Sequence, residues 1–193
     1  MKKFLIALLC LLPTLAGADE VDTKYLCGAV PEVDGAIIFA DTVPLQNMDA
    51  DKALTIVTEH VQKTLLEPAI QDIRTRMISD GKDDGTVVFR VEEYMIFKRK
   101  PLYLDRTRFR YVLTANVQAG NLYVSIRQIS YYYNEGMDGK NGEVYKAEEW
   151  ISDKEAVNKN NTKLYPRSGK FRRKTIDRVE EIFDGIRKAV SGE

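Results

Sequence analysis

From Thr107 to Val117 the chain alternates. Thr107, Phe109, Tyr111, Leu113, Ala115 and Val117 fall at every second position, with Arg108, Arg110, Val112, Thr114 and Asn116 between them. A period of two sends the two sets to opposite faces of a β-sheet. One face is apolar and the other wet, as in antiparallel sheets covered on one side. No helix accommodates that pattern, so the segment commits the chain to a sheet that needs a cover. The flanking segments add strands. Thr86 to Phe97 places Val87, Phe89, Val91, Met95 and Phe97 in one phase. Glu93 interrupts that phase, which predicts either a place at the sheet rim or a bulge. After a tight hairpin at Ala119-Gly120-Asn121, Leu122, Val124 and Ile126 alternate, and Ile129, Tyr131 and Tyr133 continue in the opposite phase. A bulge near Arg127-Gln128 accounts for the change and curls the sheet. Ile73 to Ser79 suits a further strand, joined to Thr86 through the turn Gly81-Lys82-Asp83-Asp84-Gly85. Gly35 to Val43 suits a first strand, ended by Pro44.

The cover comes from two amphipathic segments. Ala50, Ala53, Leu54, Val57, Val61 and Leu65 share one face of a helix capped by Asn47 or Asp49 and stopped by Pro68. Ile176, Val179, Ile182, Phe183, Ile186, Ala189 and Val190 form a broader stripe on a second helix, Ile176 to Val190. Gly185 lies inside it at a cost of about 1 kcal/mol against alanine, which predicts a close contact with the sheet. Between Asn134 and Lys174 there is little periodicity, with short helical turns expected at Ala147 to Ile151 and from Asp153 to Val157. The predicted order is strand, helix, four strands, helix: an α+β fold with a curved antiparallel sheet and both helices on one face.

The first eighteen residues read as a signal peptide. Lys2 and Lys3 precede an apolar run from Phe4 to Leu12, and Ala16-Gly17-Ala18 is a small-x-small cleavage pattern. Cleavage after Ala18 predicts export to the periplasm or the cell surface of a bacterium. Residues 19–29 then form a leader segment, and residues 30–190 form one domain with its core in 34–133. The whole chain carries 29 basic and 29 acidic side chains; without Lys2 and Lys3 the balance is 27 against 29. Such a balance argues against nucleic acid as a partner. Cys27 is the one cysteine left after that cleavage, so the fold rests on its core. The thiol is either tolerated near the N-terminus or paired with another chain.

Several strings resemble a family of secreted bacterial proteins catalogued as domain of unknown function 4468, described as having a TBP-like fold. They are Val30-Pro31-Glu32-Val33-Asp34-Gly35, Asp84-Gly85-Thr86-Val87, Tyr111 with Ile129-Ser130-Tyr131, Ala147 to Asp153, and Gly169 to Asp177. The resemblance implies a fold, an exported location and an unassigned activity. It carries over no catalytic residue, and a TBP-like shape does not imply DNA binding.

No constellation in the sequence points to catalysis, a cofactor or a metal. His60 is the only histidine and reads as a partly buried structural residue. Glu92 and Glu93 are neighbours on a strand and so face opposite ways; Glu148 and Glu149 read as capping or solvated charges. Arg106, Arg108 and Arg110 form a ridge on the wet face, and Lys170, Arg172, Arg173 and Lys174 form a second basic cluster. Cross-strand ion pairs, and an Arg173–Asp177 pair, explain both without an anionic ligand. The tyrosines at 111, 123, 131, 132 and 133 pack with their hydroxyls reaching water. Two functions stay open. The first is a non-catalytic binding module of the cell envelope acting on an envelope protein or another envelope component. The second is a carrier of a small apolar ligand held between sheet and C-terminal helix, its pocket lined by Leu113, Val117, Tyr131 and Phe183.

Overall fold

The computed structural model describes residues 22–66, 74–82, 84–135 and 141–192. The signal-peptide reading, the Pro68 stop and the start of the strand at Ile73 fall outside them. A 3-10 turn at Thr23–Tyr25 comes first. A small hairpin follows, β1 (Glu32–Val33) with β2 (Ala36–Ile37), and then β3 (Phe39–Pro44). Helix α1 (Ala50–Val61) runs into a π turn at Gln62–Leu66. Strands β4 (Arg76–Asp80), β5 (Thr86–Lys100), β6 (Tyr103–Gln118) and β7 (Asn121–Tyr133) follow. After β8 (Glu143–Lys146), a 3-10 turn and the short α2 (Asp153–Ala156), the chain closes with α3 (Pro166–Ser191). The predicted order is present, the turn expected from Asp153 appears as α2, and β1 and β8 are added.

The main sheet is antiparallel in the order β3-β7-β6-β5-β4. β8 pairs with the far end of β7, on the edge that β3 occupies at the near end. The two meet β7 on either side of Gln128, whose φ is 54°. There the β6–β7 register slips, from Val112 opposite Arg127 to Arg110 opposite Ser130. The predicted bulge is therefore in place. The β6–β7 loop is Ala119-Gly120, both with positive φ, as a two-residue hairpin turn requires. Pro44 is the last residue of β3, opposite Asn121, on an edge strand that tolerates proline. The predicted first strand is broken at Ile38, between β2 and β3.

Asp49 caps α1, accepting from the N–H groups of Asp51 and Lys52. Ala53, Leu54, Val57, Val61 and Leu65 are buried, whereas Ala50 is exposed. Helix α3 begins ten residues before the predicted Ile176. Pro166 stands at its first turn, where the missing N–H costs nothing, and Gly192 closes it in the left-handed conformation. The extra turns carry Phe171, whose ring is met by those of Phe97 (4.5 Å), Trp150 (4.8 Å), Tyr131 (5.0 Å) and Tyr133 (5.2 Å). The second basic cluster thus lies within the helix rather than ahead of it, and Arg172 is fully buried. Gly185 does allow a close approach, but to α1. A Cβ there would lie 2.8 Å from His60 Nε2.

The segment expected to be a leader or edge is tied under α3. Arg172 donates to the carbonyls of Tyr25, Leu26 and Ile151 and to Asp153, each at 2.6 Å. Asp153 also accepts from Gly28 N–H, and Asn161 from Cys27 N–H. Leu26 and Val30 are buried, while the Cys27 side chain is exposed.

Candidate functional site

The two faces of the sheet treat charge differently. On the helix side, Glu93 remains in register opposite Phe109, with neither a bulge nor a rim position. Arg178 from α3 grips its carboxylate at 2.8–3.1 Å, and Tyr111 donates to it at 3.0 Å. The polar interruption is answered by the covering helix. Nearby, Asp105 is buried and accepts from Tyr133 and Lys170 at 2.8 and 2.7 Å. The Tyr131 hydroxyl meets Thr175 at 2.7 Å. Three of the tyrosines expected to reach water therefore keep their hydroxyls inside. Burial pushes the Tyr111 and Tyr131 phenols well above their usual range.

On the open side, β5 and β6 set Glu92 opposite Arg110 and Tyr94 opposite Arg108. Glu92 accepts from Arg108 and Arg110, both at 3.1 Å, so the expected cross-strand ion pairs are present. Arg108 also binds Glu135 and holds that carboxyl below its ordinary range. Guanidinium and phenol groups interleave. Arg106 lies 3.9 Å from the Tyr94 ring centre, and Arg108 and Arg110 lie 5.9 and 5.2 Å from that of Tyr132.

Beyond this ladder the balance fails. Arg76 of β4 stands directly opposite Arg90 of β5. Like charges facing one another across two strands are destabilising. Among the described residues neither has a carboxylate partner. They border a cleft of about 500 Å³, lined by Arg74, Arg76, Arg90, Arg108 and Arg110, with Glu92, Glu135 and Tyr132. Among the described residues, five guanidinium groups thus share two carboxylates. The sequence reading found the ridge at 106, 108 and 110 but missed Arg74, Arg76, Arg90 and Glu135. Arg90 alone was accessible to it, since it shares the phase of Glu92 and Tyr94.

A second cleft, about 650 Å³, lies between α1 and α3 and includes His60, Thr64, Arg178, Glu181 and Asp184. Burial, and to a lesser degree Lys63, lower the His60 pKa. Thr64 spends its hydroxyl on the His60 carbonyl. His60 is thus partly buried, as expected. The expected Arg173–Asp177 pair is replaced: Lys24 and Tyr25 take Asp177, and Arg173 lies over the Tyr25 ring. Glu149 accepts from Lys146 N–H as a cap, and Glu148 from Ile37 N–H. Among the described residues no three His, Cys, Asp or Glu side chains converge as metal ligands. None of the described helices is long and apolar enough to cross a membrane.

Leu113 and Tyr131 are fully buried, Phe183 nearly so, and Val117 partly. Tyr131 lies between Phe109 and Phe171, with ring centres at 5.8 and 5.0 Å. Neither of the two clefts is lined by these four residues.

Residues 39–132 match a family model described as domain of unknown function (DUF4468) with TBP-like fold. A DUF4468 family protein from Bacteroides ovatus is 37% identical, with a TM-score of 0.76 over 88% of this chain and 94% of that one. A TBP-like protein from Parabacteroides distasonis is 18% identical and shares the fold, with a TM-score of 0.68 over 84% of this chain and 97% of that one. Among curated proteins, none matches the sequence.

Proposed function

Because the chain belongs to the family of domain of unknown function (DUF4468) with TBP-like fold, whose description assigns no activity, we propose a function from the site itself. The protein is a non-catalytic binding module of the bacterial cell envelope, and its open sheet face receives a carboxylate-rich surface of an envelope protein. The observation that carries this is the opposition of Arg76 and Arg90 in a cleft with five arginines and two glutamates. An acidic side chain placed between the two would turn a repulsion into two charge-assisted hydrogen bonds. The interleaved arginines and tyrosines are the residue types that dominate binding energy at protein interfaces. Lys2, Lys3 and the apolar run after them support export.

The packing around Tyr131 favours this reading over the carrier. The space between sheet and C-terminal helix is occupied by aromatic rings and by the Tyr131–Thr175 hydrogen bond. The test is calorimetric titration with a polyglutamate peptide, with inorganic phosphate as the competing anion. Binding that weakens with salt, and falls about tenfold or more in the R76Q/R90Q double variant, is expected from the loss of charge-assisted hydrogen bonds. Equal affinity in the variant, or no binding, refutes it. Phosphate binding without peptide binding replaces the protein partner with a phosphorylated ligand. N-terminal sequencing of the protein recovered from the envelope should begin at Asp19.

A further inference from the structure

Strands β5 and β6 outrun their neighbours. β7 ends with Tyr133 opposite Thr107, and β4 begins with Arg76 opposite Arg90. From Lys98 opposite Asp105 outward the ribbon has no third strand among the described residues. Its end stands roughly 13 Å past Thr107, at about 3.3 Å per residue. The tip is apolar. Leu102 is 101% exposed, Tyr103 44% and Leu104 40%, and Ile96 adds a further 37% nearer the base. One exposed leucine is ordinary on a protein surface. Four large apolar side chains on the end of one projecting ribbon are not scattered in that way.

The charges around this tip have one sign. Residues 96–106 contain Lys98, Arg99, Lys100 and Arg106 against one acid, Asp105. That acid is buried at the base of the ribbon, held by Tyr133 and Lys170. The register sets Arg99 opposite Leu104, Arg106 opposite Ile96 and Lys100 opposite Tyr103. Ile96, Leu104 and Tyr103 therefore each have a cation beside them on the same side of the sheet, and Leu102 lies in the turn beyond the last of these pairs. An apolar point with an amphipathic phenol just behind it and cations flanking it matches the layers of a bilayer surface. Leucine enters the acyl boundary, tyrosine sits at headgroup level, and cations meet anionic headgroups.

We propose that the β5–β6 tip, Lys98 to Arg106, docks this protein peripherally on an anionic lipid bilayer, with Leu102 inserted and Lys98, Arg99 and Lys100 on the headgroups. This goes beyond the carboxylate-binding cleft and does not depend on it.

The test is co-sedimentation of the purified protein with vesicles of phosphatidylcholine alone and of phosphatidylcholine mixed with phosphatidylglycerol. Binding to the mixed vesicles, weakened by salt, is expected. The L102E variant should partition about tenfold less, from the loss of one buried leucine. The K98Q/R99Q/K100Q variant should lose about a hundredfold on anionic vesicles, at roughly a factor of five per cation. All four side chains are exposed, so thermal midpoints should be unchanged. A Y103W variant should show a blue-shifted emission when anionic vesicles are added. Absence of binding to anionic vesicles overturns the proposal, as does undiminished binding by L102E. The R76Q/R90Q variant should still sediment. If only that variant lost vesicle binding, the lipid contact would belong to the cleft and the proposal would fall.

Discussion

The helix-covered face and the open face of one sheet draw on the same residue types and reach opposite ends. Under α3 the buried Asp105 and Arg172 and the half-buried Glu93 are all matched. Glu93 has Arg178 and Tyr111, Asp105 has Tyr133 and Lys170, and Arg172 has three carbonyls and Asp153. Across the sheet, Arg76 and Arg90 face one another, and among the described residues neither has a carboxylate partner. Desolvation explains the contrast. A buried charge without a partner costs several kcal/mol, so the covered face cannot carry one. Water screens an exposed excess and makes it cheap to keep. Where charge is unmatched and cheap, it remains available to something outside the molecule.

Three substitutions test that contrast. The largest effect should come from Arg172→Ala, which strands the buried carbonyls of Leu26 and Ile151 and the part-buried one of Tyr25. A loss of about 3–5 kcal/mol in urea unfolding is expected. A loss under about 1 kcal/mol would mean that residues 22–30 do not depend on this side chain. Next is the partly exposed Arg178–Glu93 pair. A double-mutant cycle with Arg178→Ala and Glu93→Gln should return a coupling of about 1–3 kcal/mol. Additive effects would make the covered face no stricter than the open one. The smallest effect should have the opposite sign. Relieving the like-charge contact with Arg90→Gln should stabilise the protein by about 0.5 kcal/mol while weakening polyglutamate binding. Destabilisation by that change would show Arg90 to be structural.

What the sequence displays is what local periodicity controls. The alternation from Thr107 to Val117 placed each of those residues on the face it occupies. The phase change after Ile126 located the bulge at Gln128, and Asp49 marked the start of α1. The first ten residues of α3 were illegible because Lys170, Arg172, Arg173 and Lys174 crowd the apolar stripe. The burial of Arg172 depends on carbonyls up to 147 positions away, and Glu93 on an arginine 85 positions away. No window of sequence contains both partners. The arginine cleft was hidden for the same reason. The ridge on β6 is visible from its own spacing, but the opposition of Arg76 to Arg90 exists only once the β4–β5 register is known.

The hydrogen bonds from Arg172 to Tyr25 and Leu26 also impose an order of assembly. The donor leaves the ribosome long after its acceptors, and closing a loop of 147 positions costs more chain entropy than the local contacts that form before it. Until then the earliest of these residues have nothing to dock against, and the polypeptide stays open. A partner that traps it in that interval would meet the bare apolar side of the sheet before the last helix arrives to seal it.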